Sequence, residues 1–320
     1  MTTHLSEWIE SLKAQIQPVD PRDTMAEAGR KVLLKEFVRM LQHEAGSRAG
    51  EDIEDVHQMR VAVRRIRSAL RLLQRYFRTK SLSPYRRQLR KLARALGAVR
   101  DLDVLIADLS QFKASLDTNQ QADLQKVIES LEQKQMAARQ DLIRLLDGKA
   151  YRRFIRSFGE FLTTPGDGAK ALSDDIVPIQ VRHVLPGMIH GCLASVLAYD
   201  DVLDDAGPEM LHGLRIEFKR LRYTVSLFED VLGTQIQNFI EDLKAMQEHL
   251  GRLNDIMVAQ ENLDDLIVGR NGYVSDSVRA YTERLNAEAA NLLAQFPAMW
   301  SRFTSRKVQS KLSSALLALR

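Results

Sequence analysis

One helical pattern occurs twice in this chain, and the repeat constrains the fold more than any other feature. The segment VHQMRVAVRRIRSALRLLQRYF, which begins at Val56, aligns without gaps on LHGLRIEFKRLRYTVSLFEDVL, which begins 155 residues later at Leu211. A second pair, LARALGAVRDLDV from Leu92 and MQEHLGRLNDIMV from Met246, aligns with an offset of 154 residues. This period is too long for a solenoid unit, so we infer two equivalent halves.

Apolar residues in both copies recur with steps of three and four, the period of an α-helix that buries one face. No comparable run of period two is present, and residues 85–164 contain no proline. We therefore predict an all-α fold of two four-helix bundles related by an internal pseudo-twofold axis. In the first copy the periodic positions are Val56, Met59, Val63, Ile66, Leu70, Leu73 and Phe77.

Helix-breaking residues indicate where the bundles begin and end. The densest cluster reads TTPGDG at residues 163–168, near the midpoint of the chain. It predicts a first bundle over residues 22–165 and a second over residues 166–320, preceded by a helical extension over residues 1–21. We also expect a helix break at Gly97. Asp101 and its counterpart Asp255 are then interpreted as helix-start caps or as partners of nearby cations.

Positive charge is concentrated in the first copy. The 45 residues from Val56 to Arg100 include 14 Lys or Arg and no Asp or Glu. The whole chain carries +4, so subtracting this +14 leaves −10 on the other residues. Like charges along a helix repel one another and need a counter-charge. The sequence therefore indicates either acidic partners elsewhere in the fold or an anionic ligand.

The cations of each repeat helix follow the apolar positions by one residue and form a stripe beside the buried face. Arginine suits bidentate contacts with phosphate oxygens and stays charged when it is partly desolvated. Glu217 and Glu248 stand opposite Ala62 and Arg94, so the second half offers less cationic surface. The candidate anion-binding residues are His57, Arg60, Arg64, Arg65, Arg67, Arg71, Arg87, Arg90, Arg94, Arg100, His212, Arg215, Lys219, Arg220, Arg222, Lys244 and Arg252.

The two histidines of the repeat leave several roles open. His57 and His212 each precede the first cation of their stripe by three residues. Each suits a ligand to a polyanion or a structural hydrogen bond. A metal site fits less well, because each helix offers one histidine among arginines. We predict no catalytic residue, no cofactor and no metal ligand.

The motifs carry a family resemblance. HxxRVxxRRxR at His57, HxxRIxxKRLR at His212, LGAVRDLDV at Leu96 and LGRLNDIMV at Leu250 together resemble the CHAD family, the conserved histidine α-helical domain. The resemblance implies a central basic cleft or pore that binds inorganic polyphosphate without catalysis. This family often carries a triphosphate-hydrolysing module with an ExExK motif. No such motif occurs in the 320 residues, so we expect that module to be absent.

The composition and the N-terminus suggest a cytoplasmic protein. The chain has one cysteine, Cys192, and therefore no internal disulfide. Glu7 and Glu10 lie where a signal peptide would be apolar, and no run of about 18 apolar residues occurs. We expect no membrane partner. The resemblance suggests polyphosphate granules or polyphosphate-metabolising enzymes as partners of the protein.

Three other functions remain open at this stage. A nucleic-acid-binding protein would use the same cations, although the basic segment offers few aromatic residues for base stacking. A metal-dependent polyphosphate or phosphoester enzyme would need a P-loop or an acidic metal site, and neither motif is present. A helical adaptor could dock an acidic protein on the basic face. Finally, the cations could be neutralised by acids within the fold.

Overall fold

The protein is described by a computed structural model that covers residues 2–170, 179–203, 207–268 and 276–319. Within these ranges the chain forms helices and connecting turns, with two isolated β-bridges and no strand. The all-α prediction is confirmed. The α-helices of the described ranges are α1 (Thr2–Lys13), α2 (Met25–Gln42), α3 (Glu44–Ala49), α4 (Ile53–Leu72), α5 (Thr79–Lys113), α6 (Thr118–Asp147), α7 (Lys149–Thr163), α8 (Val181–Leu197), α9 (Pro208–Leu227), α10 (Ile236–Val268), α11 (Asp276–Thr304) and α12 (Arg306–Leu316).

The repeat helices are α4 and α9, and their apolar faces form the centre of the core. Every periodic position predicted in the first copy is buried, and so are Leu211, Leu214, Phe218 and Leu221 in the second. Local signals fix the start of each helix. The Asp52 side chain caps α4 by accepting a hydrogen bond from the Glu54 amide at 2.8 Å, and Pro208 is the first residue of α9.

One hydrophobic core runs through both halves of the chain. Its residues extend from Leu12 in α1 to Leu319 near the C-terminus. Within this core, α4 contacts α9 directly. A smaller second core joins the distal parts of α5, α6, α10 and α11 around Leu109, Leu131 and Tyr281. The halves are thus packed together at two places. The bundle boundaries drawn from the sequence, and the pseudo-twofold axis, stay predictions.

Two boundary predictions need correction. The expected break at Gly97 is wrong, because α5 continues through this buried glycine without interruption. A single glycine costs a helix only about 1 kcal/mol, which the packed length of α5 offsets. The same helix accommodates Pro84 as its sixth residue; the Lys80 carbonyl, which the missing proline N–H would have reached, accepts a hydrogen bond from the Ser83 hydroxyl at 3.4 Å. Asp101 lies in the middle of α5 and Asp255 in the middle of α10, so the predicted helix-start cap is wrong for both.

The helix α8 is the most apolar in the described part of the chain. By length and composition, the stretch Val181–Val202 is long and apolar enough to cross a membrane. About one third of this stretch is buried, and the buried side chains, including Val181, Ile189 and Val196, pack into the main core. Cys192 is buried there beside the Thr224 hydroxyl.

Candidate functional site

A cavity of about 900 Å³ lies where the two repeat helices meet the helices that follow them. Its walls come from α4 and α5 of the first half and from α9 and α10 of the second, with Tyr281 of α11 at one side. Of the seventeen predicted residues, those that line it are His57, Arg60, Arg64, Arg100, His212, Arg215, Lys219, Arg222, Lys244 and Arg252. The structure thus brings cations from both repeats to one site.

The buried faces of α4 and α9 determine which cations point into the cavity. Because Met59 and Val63 face the core, the residues one position later on the helix lie at the edge of that face. Arg60 and Arg64 therefore enter the cavity from α4. On α9 the same relation holds for Arg215, which follows the buried Leu214. The stripe predicted from the sequence is a wall of this cavity.

Several buried donors that line the cavity have no hydrogen-bond partner in the protein. A buried polar group without a partner costs free energy, so this group of donors makes the cavity a candidate ligand site. All of these groups are hydrogen-bond donors or can act as donors, which fits an acceptor such as an oxyanion. They are His57 Nδ1, Arg64 Nε, Arg215 Nε, Arg222 Nε, Tyr223 Oη and Gln247 Nε2.

The protonation equilibrium of Lys219 reports how strongly positive the cavity is. Burial is the main reason that the pKa of Lys219 falls from 10.5 to about 7. The positive charges of Arg215, Arg64 and Arg60 lower this pKa in the same direction. The carboxylate of Asp255 opposes them and does not restore the usual value. Among the residues that line the cavity there are eight Lys or Arg and four Asp or Glu, so its cations outnumber its carboxylates.

One carboxylate of the cavity, Asp101, pairs weakly with a cation. Asp101 Oδ1 lies 3.5 Å from Arg60 Nη2, and burial raises the pKa of Asp101. This places Asp101 among the partners of the cations, one of the two roles predicted for it. In the described ranges, no group of three or more His, Cys, Asp or Glu side chains is placed to hold a metal ion.

An ion-pair network closes one side of the cavity. Arg252 Nε lies 2.6 Å from a Glu288 oxygen, and Arg252 Nη2 lies 3.2 Å from Asp108. Arg284 pairs with the other oxygen of Asp108 at 2.8 Å, and the Tyr281 hydroxyl donates to Asp108 at 3.1 Å. Side-chain hydrogen bonds with Glu288 raise the pKa of Arg252 above its ordinary value. Arg252 thus borders the cavity with its charge already matched.

A second group of cations lies outside the cavity, on the exposed surface of α4 and α5. Arg67 follows Arg64 on α4, and its pKa is lowered by burial and then by Arg71, Arg90 and Arg94. Arg67, Arg71, Arg90 and Arg94 form no ion pair with a carboxylate in the described part of the chain. We call Arg67, Arg71, Arg90 and Arg94 the outer patch. Arg87 is also exposed on α5.

Two of the predicted anion-binding residues pair with carboxylates of the fold. Arg65 Nη1 pairs with the buried carboxylate of Glu36 at 2.8 Å, and this contact ties α4 to α2. Arg220 lies 3.6 Å from Glu217 one turn earlier on α9. Neither residue lines the cavity, so the alternative of internal neutralisation applies to this pair of arginines.

The two histidines have different surroundings. His57 is half-buried, and its Nδ1 has no partner; burial lowers its pKa, as does the positive charge of Arg100. His212 is exposed, and its Nδ1 is 3.0 Å from Asn254 Oδ1. His57 therefore has the free donor that a ligand requires, whereas His212 makes a structural hydrogen bond.

Sequence reasoning missed the cavity residues that lie outside the repeated cations. Tyr223 aligns with Ser68 of the first copy, so the repeat gave no signal for it. Asp108 and Tyr281 lie beyond the repeated motifs, and only the packing of α11 against α5 and α10 brings them to the cavity.

Comparisons with known proteins agree with the fold and with the motifs. The family model of the CHAD domain matches residues 31–264. The uncharacterized protein MT2285 of Mycobacterium tuberculosis is 28% identical over 223 residues, which make up 68% of this chain and 41% of that protein. The chain thus spans about two fifths of the length of the curated relatives it matches.

Solved structures show the same architecture. The CHAD domain from the plant Ricinus communis matches with a TM-score of 0.66 and 24% identity, covering 95% of this chain and 96% of that chain. PptA from Streptomyces chartreusis matches with a TM-score of 0.58 and 13% identity, covering 90% of this chain and 99% of that chain. At these identities the likeness concerns the fold.

Proposed function

The chain belongs to the CHAD domain family, which is associated with polyphosphate binding, and we propose that its cavity binds inorganic polyphosphate without catalysis. The observation that carries the proposal is the set of buried donors in the cavity that lack a partner. A phosphate chain offers each of them a charged acceptor oxygen. Hydrogen bonds of this kind are about twice as strong as neutral ones.

The shape and composition of the cavity favour a polyphosphate over a nucleic acid. Single-stranded nucleic acids need aromatic faces on which bases stack. The two tyrosine rings that line the cavity are Tyr223 and Tyr281, and both are buried, with 4% and 0% of their surface exposed. In the basic segment, Tyr76 and Phe77 are also buried, and Tyr85 packs on the phenylalanines of α7. The aromatic rings near the cations are therefore not available for base stacking, although the cations themselves are accessible.

We propose that the outer patch extends the site for longer chains. Arg60, Arg64, Arg67 and Arg71 follow one another at helical spacing along α4, so the line of cations leaves the cavity and continues on the surface. At 1.5 Å per residue, the outer patch adds roughly 10 Å beyond Arg64. A short phosphate chain would fill the cavity alone, whereas a longer one would reach both surfaces.

The double variant R90Q/R94Q tests this extension. We expect it to weaken the binding of long-chain polyphosphate by about tenfold and to leave the binding of tripolyphosphate nearly unchanged, because only the longer ligand reaches the outer patch. Calorimetric titrations of both ligands against wild type and variant measure the difference. Equal losses for the two ligands would show that the patch acts only through the general field of the protein.

The proposal as a whole is tested by titrating the protein with long-chain polyphosphate, single-stranded DNA and duplex DNA at two salt concentrations. We expect the tightest binding for polyphosphate and a steep fall of affinity with salt, since several charges are neutralised together. Stronger binding of either DNA would overturn the proposal. We also propose that bound polyphosphate is left intact. Release of phosphate by the pure protein with Mg²⁺ or Mn²⁺ would contradict this second statement.

A further inference from the structure

Tyr223 stands out among the cavity residues because its hydroxyl group has no partner. Tyr223 is one of the residues that line the cavity; its side chain is 4% exposed, and its buried Oη makes no hydrogen bond within the protein. Buried tyrosine hydroxyl groups ordinarily find a partner. Elsewhere in the fold they do: Tyr151 Oη donates to Glu44 at 2.7 Å, and Tyr281 Oη donates to Asp108.

The ring of Tyr223 lies between guanidinium groups from the two halves of the molecule. The Arg64 guanidinium of α4 is 5.5 Å from the ring centroid, and the Arg222 guanidinium of α9 is 5.0 Å from it. Such contacts hold a cation over an aromatic face and reduce its freedom to move. The Nε atoms of both arginines also lack hydrogen-bond partners. Three unsatisfied donors from two helices therefore converge around one ring.

We propose that Tyr223 is an anion-binding residue, whose hydroxyl donates a hydrogen bond to a phosphoryl oxygen held between Arg64 and Arg222. This inference rests on the proposed function and adds a neutral donor to the cationic site. The ring positions the two guanidinium groups before the ligand arrives, so less conformational freedom is lost on binding. The hydroxyl supplies a directed contact that charge alone does not provide.

The variant Tyr223→Phe separates the hydroxyl from the ring, because it keeps both cation–π contacts. We expect its affinity for polyphosphate to fall about tenfold, since a hydrogen bond to a charged acceptor is lost. The slope of affinity against salt should stay as in wild type, because no charge is removed. In contrast, Arg64→Gln should lower the salt slope by about one unit. The thermal stability of the free Tyr223→Phe protein should be equal to that of wild type or higher.

Tyr85→Phe is the matched control, because the Tyr85 hydroxyl donates to the Ser157 carbonyl at 3.2 Å, away from the cavity. It should bind polyphosphate like wild type. If wild type binds and Tyr223→Phe binds equally well, the role of Tyr223 is wrong while the proposed function stands. If Tyr223→Phe loses affinity together with melting temperature, the hydroxyl supports the fold and the inference fails. If wild type does not bind polyphosphate, the proposed function itself fails.

Discussion

The two halves of the molecule carry the same motif, but they use it differently. His57 in the first half has a free Nδ1 beside the cation Arg100, whereas His212 is hydrogen-bonded to Asn254, the residue aligned with Arg100. Arg252, which aligns with Ala98, is neutralised by Asp108 and Glu288. At the histidines, the first half leaves open a nitrogen that the second half pairs with Asn254. At other cavity positions the second half also keeps unpartnered donors, on Arg215, Arg222, Tyr223 and Gln247.

This difference separates two roles of the duplicated helices, packing of the core and binding of the ligand. Both copies keep the apolar face that packs α4 against α9, since losing it would open the core. The residues beside that face are free to change. Both halves pair some of their cations with acids: Arg60 lies 3.5 Å from Asp101 in the first half, and Arg252 contacts Glu288 and Asp108 from the second. The second half lines the cavity with five Lys or Arg side chains and the first half with three, whereas the outer patch belongs to the first half alone.

The largest expected effect comes from removing the cations of one half at a time. The triple variant R60Q/R64Q/R67Q should lose several kcal/mol of binding free energy for polyphosphate, at about 1.5 to 3 kcal/mol per charged hydrogen bond. R215Q/K219Q/R222Q should lose less, because Lys219, with a pKa of about 7, is only partly charged in the free protein at neutral pH. Both should be as stable as wild type or more stable when free, because mutual repulsion among the cavity cations is relieved.

Titrations and thermal melts on both triple variants measure these effects. A large fall in melting temperature with retained binding would show that the arginines are structural ion-pair partners, contrary to the proposed site. Equal binding losses for the two variants would remove the difference between the halves and leave a symmetric site.

The next effect concerns Lys219, which aligns with Arg64 of the first half. The pKa of about 7 in the folded protein lies below the ordinary lysine value of 10.5, so between these two pH values the unfolded chain binds more protons. Stability of the free protein should therefore rise with pH across this window. Affinity for polyphosphate should fall across the same window, because the bound anion favours the charged lysine and its binding takes up a proton.

Calorimetry at about pH 8 in two buffers of different ionisation enthalpy counts the protons taken up. We expect an uptake that approaches one proton for wild type and nearly none for Lys219→Arg, because arginine stays charged. Arg64→Lys is the reciprocal variant and should add a second proton. Uptake that persists in Lys219→Arg would assign the titration to another group.

The sequence predicted the helices and the cations beside the core, because both follow from a period of 3.6 residues within one helix. It could not separate Arg64 from Arg65. These neighbours differ by 100° around α4, and the partner of Arg65 is Glu36 on α2, outside the repeat. Likewise, Tyr223 has no repeated counterpart. Which cation is free depends on contacts between distant segments, and a motif does not encode them.

The smallest expected effect comes from exchanging the residues beside the two histidines. Arg100→Asn gives the first half the residue of the second and should lower polyphosphate affinity by about 1 kcal/mol. Arg100→Asn should also raise the pKa of His57, because the positive charge of Arg100 is removed. Burial still keeps this pKa below the ordinary value. Asn254→Arg adds a charge, frees His212 Nδ1 from its acceptor and should raise the affinity by a similar amount. Titration of the imidazole signals by NMR, with calorimetry on both variants, checks these signs. If both exchanges change affinity in the same direction, the histidine surroundings do not account for the unequal halves, and the difference must come from Arg64 and Lys219.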